Sequence, residues 1–425
     1  MSEGLSLLVM VLVLCTGVFA LRLPTGVSLL LSALAGSLAS GNGIGLRFIV
    51  EGTLLYLDPM LIVVTSLFFM AVFERSGALS TLNVWTVKTF ARNPFVLVSL
   101  LMLFVMFPGM FTGLTAPCVL TTGAMVAPLI LAAGAPPAVA GAFIASGAFF
   151  GMVAPPVNIC AMLIGAGVDM PYIGFDLPLF VLTIPAAAIT AFLLIGKYFR
   201  KLDMQKSLAV LPASRFREYG LRLYFPLIVL VGLLLSEKLF PGEIPYLGIP
   251  LIFLVSAAIG FFTGDKVNIG DAANWSITQS LSILALLAGI GAFIEVLTLT
   301  GARGWIVINL LALPEWQLFL GMAILVPLFG GVSAYGSSVV LGVPILLALL
   351  DRNNILVAAA LSMLASVGDF MPPTRLAVLL AGPVVGESNT NSILVRSIWV
   401  VAISILISIA FIYFANDIGN LLVRV

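Results

Sequence analysis

Two Pro-Pro pairs and two ionisable side chains carry the chemistry latent in this sequence. Pro155-Pro156 closes the run Gly151-Met152-Val153-Ala154, and Pro372-Pro373 closes Gly368-Asp369-Phe370-Met371. Both pairs stand inside long apolar stretches. Proline lacks an amide donor and its ring collides with the preceding turn, so neither pair fits within a continuous helix. A helix broken there exposes the carbonyls of its first half and the amides of its second, which hydrocarbon cannot satisfy. Carbonyl oxygens and Ser or Thr hydroxyls suit a hard cation, and the N-terminal end of the resuming helix suits an anion.

Upstream of each break lies a matched polar stretch, Gly113-Leu114-Thr115-Ala116 in one half and Gly331-Val332-Ser333-Ala334 in the other. Gly113 and Gly151 are 38 residues apart and Gly331 and Gly368 are 37 apart, so motif and spacing are duplicated together. One cation site is therefore expected from Gly113, Thr115, Gly151 and Ala154, mostly through backbone carbonyls with the Thr115 hydroxyl added. Its repeat is expected from Gly331, Ser333, Gly368 and Met371. Taken singly, such small residues serve close helix packing in lipid equally well. The paired constellation points to binding, because packing does not require a Pro-Pro break at matched spacing.

Asp369 and Arg375 are the most unusual residues, since an ionisable group deep in a membrane costs about 2.5 to 3.5 kcal/mol even on translocon scales. Two readings stand side by side. In one, they form an ion pair that only stabilises the broken region. In the other, Arg375 meets the carboxylate of a substrate and Asp369 tunes it or assists a cation. The repeat mate of Arg375 is Asn158, so a substrate cradled between the halves would touch both.

The elements that must position these residues follow from composition. Of 425 residues 61% are hydrophobic and 9% charged, and the mean hydropathy is +1.22, which places the chain in a bilayer. Apolar stretches of about 17 to 25 residues recur without the alternation of a barrel. The expectation is an all-α polytopic membrane protein with about eleven transmembrane helices and two re-entrant hairpins (Phe111 to Ala133 and Gly330 to Leu350) in two inverted repeats. Ser80 to Asn93 and Gly301 to Pro314 read as interfacial helices. Lys197, Arg200, Lys201, Lys206, Arg215, Arg217 and Arg222 face only Asp203 and Glu218, which puts this midpoint loop in the cytoplasm. A net charge of +1 gives no hint of nucleic acid or of a polybasic lipid site. There is no His, which removes histidine triads and His-ligated metals. Cys15, Cys118 and Cys160 lack CxxC spacing and read as buried hydrophobes. No basic residue precedes Arg22, so the first apolar segment reads as retained.

With the duplicated hairpins and the GMVAPP and GDFMPP breaks, the chain resembles the ion transporter superfamily. It looks most like the large membrane subunit of tripartite ATP-independent periplasmic (TRAP) transporters, above all over Ala140 to Gly151 and Pro155-Pro156. The resemblance implies a sodium-driven elevator in a bacterial inner membrane that imports an organic anion by symport, with sodium as coupling ion and no other cofactor. It implies scaffold segments at 1–93 and 223–313, transport units at 94–200 and 314–425, and a cytoplasmic loop at 201–222. It also implies a small four-helix membrane subunit and a periplasmic substrate-binding protein. Two places depart from the family: the first hairpin lacks its usual Ala-Asp, and Thr374-Arg375 follow the second Pro-Pro. A stand-alone sodium- or proton-coupled carboxylate transporter, for which a homodimer is possible, therefore remains the alternative. An intramembrane enzyme is disfavoured, because an aspartyl pair, HExxH and a Ser-His pairing are all absent. A channel is a further alternative, though channels seldom need two matched broken helices.

Overall fold

Leu-, Val- and Ile-rich runs form helices throughout the computed structural model, which describes residues 3–200, 211–240 and 247–422. Lys201, Asp203 and Lys206 of the midpoint loop lie outside these residues. No strand occurs among the described residues, and eight helices are long and apolar enough to cross a bilayer alone. The other apolar helices among the described residues are 10–17 residues long. The expected eleven or so spans are thus eight long helices together with shorter ones, among them the halves of the two broken helices.

The duplication runs the length of the chain. Left-handed Gly77 and Gly301, at φ 84° and 72°, open the two arm helices Ala78–Phe90 and Ala302–Leu311. These are the helices expected at the interface. The helices Asp176–Phe199 and Thr390–Tyr413 each have 24 residues and follow the two broken helices.

Both hairpins are longer than the sequence suggested. Pro94–Thr112 runs to the tip at Gly113-Leu114 and Thr115–Ala132 runs back. Thr122 Oγ1 donates to the Val105 carbonyl at 3.1 Å and the Gly109 amide to Cys118 Sγ at 2.9 Å, which fixes the antiparallel register. In the second half Glu315–Gly330 and Ala334–Ala348 pair in the same way, with Ser337 Oγ donating to the Val326 carbonyl at 2.7 Å. The expected segments cover only the tip and returning arm, because the first arms are as apolar as ordinary spans and polarity marks the tips alone.

The helices that follow are broken as expected. Pro137–Val153 resumes as Ile159–Ala166, and Asn354–Phe370 resumes as Leu376–Val385. The two cross antiparallel: Gly141 lies by Val385, the Phe149 and Phe370 rings are 5.6 Å apart, and Asn158 Nδ2 donates to Ser362 Oγ at 2.8 Å. Such a crossing relates the halves by an inversion.

The helices sort into two bodies. Hairpins, broken helices and the two 24-residue helices pack together, while Thr25–Ala39, Leu46–Leu54 and Leu57–Arg75 pack on Ile249–Gly260 and Ile269–Leu299. Close approach in the second body depends on glycine. A Cβ on Gly291 would stand 2.0 Å from the Gly52 carbonyl oxygen, and one on Gly289 2.3 Å from that of Gly26.

Candidate functional site at the hairpin tips

Each hairpin tip sits on the break of its own half. The Val157 amide donates to the Met110 carbonyl at 3.0 Å beside Gly113, whose φ is 65°. In the second half Thr374 donates to the Gly331 carbonyl through its amide at 3.3 Å and its hydroxyl at 2.8 Å. Gly151 and Gly368 let the arms close: a Cβ on Gly151 would lie 2.6 Å from the Met106 carbonyl oxygen, and one on Gly368 2.0 Å from the Gly330 carbonyl carbon. The Pro155-Pro156 and Pro372-Pro373 bonds are both cis.

The two tips also meet each other. Tyr335 OH, from the second hairpin, donates to the Gly113 carbonyl at 3.0 Å. The Thr115 hydroxyl donates to the Asp369 carboxylate and stands 3.2 Å from Met152 Sδ. Gly113 and Thr115 of one half are thereby joined to Asp369 of the other. Asp369 is 6% exposed, and no Lys or Arg among the described residues pairs with it.

The Asp369–Arg375 ion pair is not formed. Arg375 adopts φ 46° at the start of the resuming helix, and its guanidinium donates to Asn391 Oδ1 at 2.7 Å. The physical reason is direction: the left-handed turn sends the side chain toward the helix Thr390–Tyr413 and away from the tips. Asn158 and Arg375, expected to flank one substrate, take different partners. Asn158 is fully buried and caps Ile159–Ala166, accepting from the Ala161 amide at 2.9 Å and donating to the Val153 carbonyl at 2.9 Å and to Ser362.

The repeat-related constellations are not equivalent. Ser333 Oγ accepts from the Gly336 amide at 3.0 Å as a helix cap, and Gly331 O already accepts twice from Thr374. Met371 lies in extended backbone and its amide donates to the Gly368 carbonyl at 2.8 Å. Ala154 likewise ends its helix, its amide bonded to the Phe150 carbonyl at 2.9 Å. Only the first constellation acquires a carboxylate, because the counterpart of Asp369 is Met152. Sequence reasoning missed Tyr335 and Met152. A tyrosine two residues beyond Ser333, inside a Gly- and Ser-rich apolar stretch, was the available signal.

Apolar clefts flank both breaks. One of about 540 Å³ lies between Cys15 and Val18 on one side and Phe329, Pro372 and Pro373 on the other. Its counterpart, about 420 Å³, lies between Val231 and Leu235 and Phe111, Pro155 and Pro156. Val18 and Leu235 are 217 residues apart, as are Gly151 and Gly368, so the duplication includes the helix lining each cleft.

No family model and no curated protein matches the chain. Among solved structures it is similar to the YdaH transporter of Alcanivorax borkumensis, reported to have an unusual topology, with a TM-score of 0.61 over 89% of this chain and 90% of that one. At 18% identity the likeness is one of fold. The chain is thus an all-α multi-pass membrane protein whose fold is shared with a membrane transporter. Nothing in the likeness is specific to a tripartite system.

Proposed function

We propose that the protein is a secondary transporter in which a cation at the Thr115–Asp369 centre drives the movement of a small organic anion. The observation that carries this reading is the buried Asp369 carboxylate, bonded across the two halves by Thr115, with no cationic side chain beside it among the described residues. A lone carboxylate in low dielectric is costly, so it either takes up a proton or holds a bound cation. Switching between those conditions changes how firmly the hairpin tips are held together, which is what coupling requires. The Asp369 carboxylate, Thr115 hydroxyl, Tyr335 phenol and Gly113 carbonyl are oxygen ligands of the kind a hard cation selects, which supports sodium. A proton is the second reading, supported by Asp369 being ionisable.

Arg375 beside the second Pro-Pro break supplies a positive charge for a carboxylate cargo. Glu3–Ala20 packs on Thr25–Ala39 and Phe225–Leu239 on Ile249–Gly260, so the two clefts lie between the bodies, which supports movement of one against the other in an elevator. The carrier acts alone in this reading, in a bacterial inner membrane with the 197–222 loop in the cytoplasm. A tripartite assembly with a four-helix subunit and a periplasmic binding protein is the alternative.

Proteoliposomes holding the chain alone should accumulate radiolabelled carboxylates under an imposed sodium gradient, and Asp369→Asn should abolish this. Uptake that follows a pH gradient without sodium selects the proton reading. Uptake by Asp369→Asn equal to wild type removes Asp369 from coupling altogether.

A further inference from the structure

The open base of the first hairpin carries cations that lie outside the Thr115–Asp369 centre and have no carboxylate partner among the described residues. Between Glu74 and Asp169 the chain has no acidic residue, yet Arg75, Lys88 and Arg92 lie within it. Lys88 ends the arm helix Ala78–Phe90, and Arg92 stands in the link to the hairpin. Three residues on, the Phe95 ring packs edge-on against Phe192 at 5.4 Å, and the Arg200 guanidinium lies over the Phe192 ring, 5.8 Å from its centroid. The Phe95–Phe192 pair therefore brings Arg92 and Arg200 to one patch, with Lys197 one turn before Arg200. All four cations are exposed, and none has a carboxylate partner among the described residues. Trp85 is 52% exposed on the same arm helix and touches Phe90.

The second hairpin shows that this architecture does not need free cations. Its base carries Glu315, and Arg352 is consumed there by an ion pair with Glu315 and by the Ile412 and Tyr413 carbonyls at 2.9 and 2.8 Å. Exposed cations beside exposed aromatic rings at a membrane boundary match a phosphate above and acyl chain below.

We propose that Lys88, Arg92, Lys197 and Arg200 form a binding site for the headgroup of an anionic phospholipid at the base of the first hairpin. Arg92 lies where the arm meets the hairpin, and Arg200 ends a helix of the hairpin-bearing body, the moving one in the elevator reading above. A headgroup held by both ties the arm to the moving body, so lipid charge sets how freely that body moves.

The test is native mass spectrometry of the full chain released from nanodiscs containing equal phosphatidylglycerol and phosphatidylcholine. Wild type should retain phosphatidylglycerol in preference, and retention should fall as salt rises. Arg92→Gln combined with Arg200→Gln should weaken retention about 30-fold, at about 1 kcal/mol for each cation removed. Arg92→Lys with Arg200→Lys should keep most of it, which separates charge from misfolding. Equal retention of the two lipids, or undiminished preference in the Gln variant, overturns the proposal. The readout is lipid retention, so it is independent of whether the chain transports an organic anion.

Discussion

Gly368→Ala tests whether the second hairpin is seated on its broken helix. Gly368 lies in the last turn before Pro372-Pro373, against Gly330 at the end of the hairpin's first arm. A Cβ there would stand 2.0 Å from the Gly330 carbonyl carbon and 2.3 Å from its oxygen, whereas ordinary contact begins at 3.4 Å. Both neighbours are backbone, so no side-chain rotation relieves the overlap, and the hairpin must retreat by about 1.4 Å, the difference between 3.4 and 2.0. Overpacking of this kind costs about 1 to 3 kcal/mol. The retreating hairpin carries Tyr335, so the same retreat pulls its hydroxyl from the Gly113 carbonyl beside Thr115 and Asp369. The expected result is a lowered midpoint of thermal unfolding in detergent and uptake reduced about tenfold or more, since 1.4 kcal/mol is a factor of ten. Gly321→Ala is the control: it lies in the same arm with nothing within 4 Å of the new methyl, and helix propensity favours the change. If Gly368→Ala melts and transports like Gly321→Ala, the hairpin is not seated as described and the reasoning fails.

Thr115→Val removes the hydroxyl that joins the halves, and a bond to a charged group is worth about 1.5 to 3 kcal/mol, so cation activation of uptake should weaken about ten- to hundredfold. Thr115→Ser should restore it, and a dose–response curve that does not shift in the Val variant would remove Thr115 from the site. Arg375→Ala should abolish anion uptake while leaving the melting midpoint within a few degrees of wild type, because among the described residues its side chain bonds only Asn391; unimpaired uptake would leave Arg375 a structural residue. Cys118 and Cys160 are buried as expected but Cys15 is exposed, so mass spectrometry after N-ethylmaleimide treatment in mild detergent should find at most Cys15 modified, and all three once the chain is denatured.

The sequence by itself determined the solvent, the helical class, the duplication and the places where helices break. Each follows from local physics: hydrocarbon demands long apolar helices, and Pro155-Pro156 and Pro372-Pro373 forbid continuity wherever the chain places them. The arm helices at 78–90 and 302–311 were legible for the same reason, as short and partly polar stretches between apolar runs. Tertiary structure decided how the breaks are populated. Two equivalent cation constellations were expected because the motifs are near copies, yet Ser333 is spent on a helix cap while Thr115 reaches Asp369 across 254 residues. The first arms of the hairpins were hidden because antiparallel pairing within a membrane leaves no polar mark along its length. The fate of Arg375 turned on a backbone angle, φ 46°, that sends its side chain toward Asn391. Which charge faces which partner depends on the direction of a side chain and the crossing of distant helices, and neither is written in residue type or spacing.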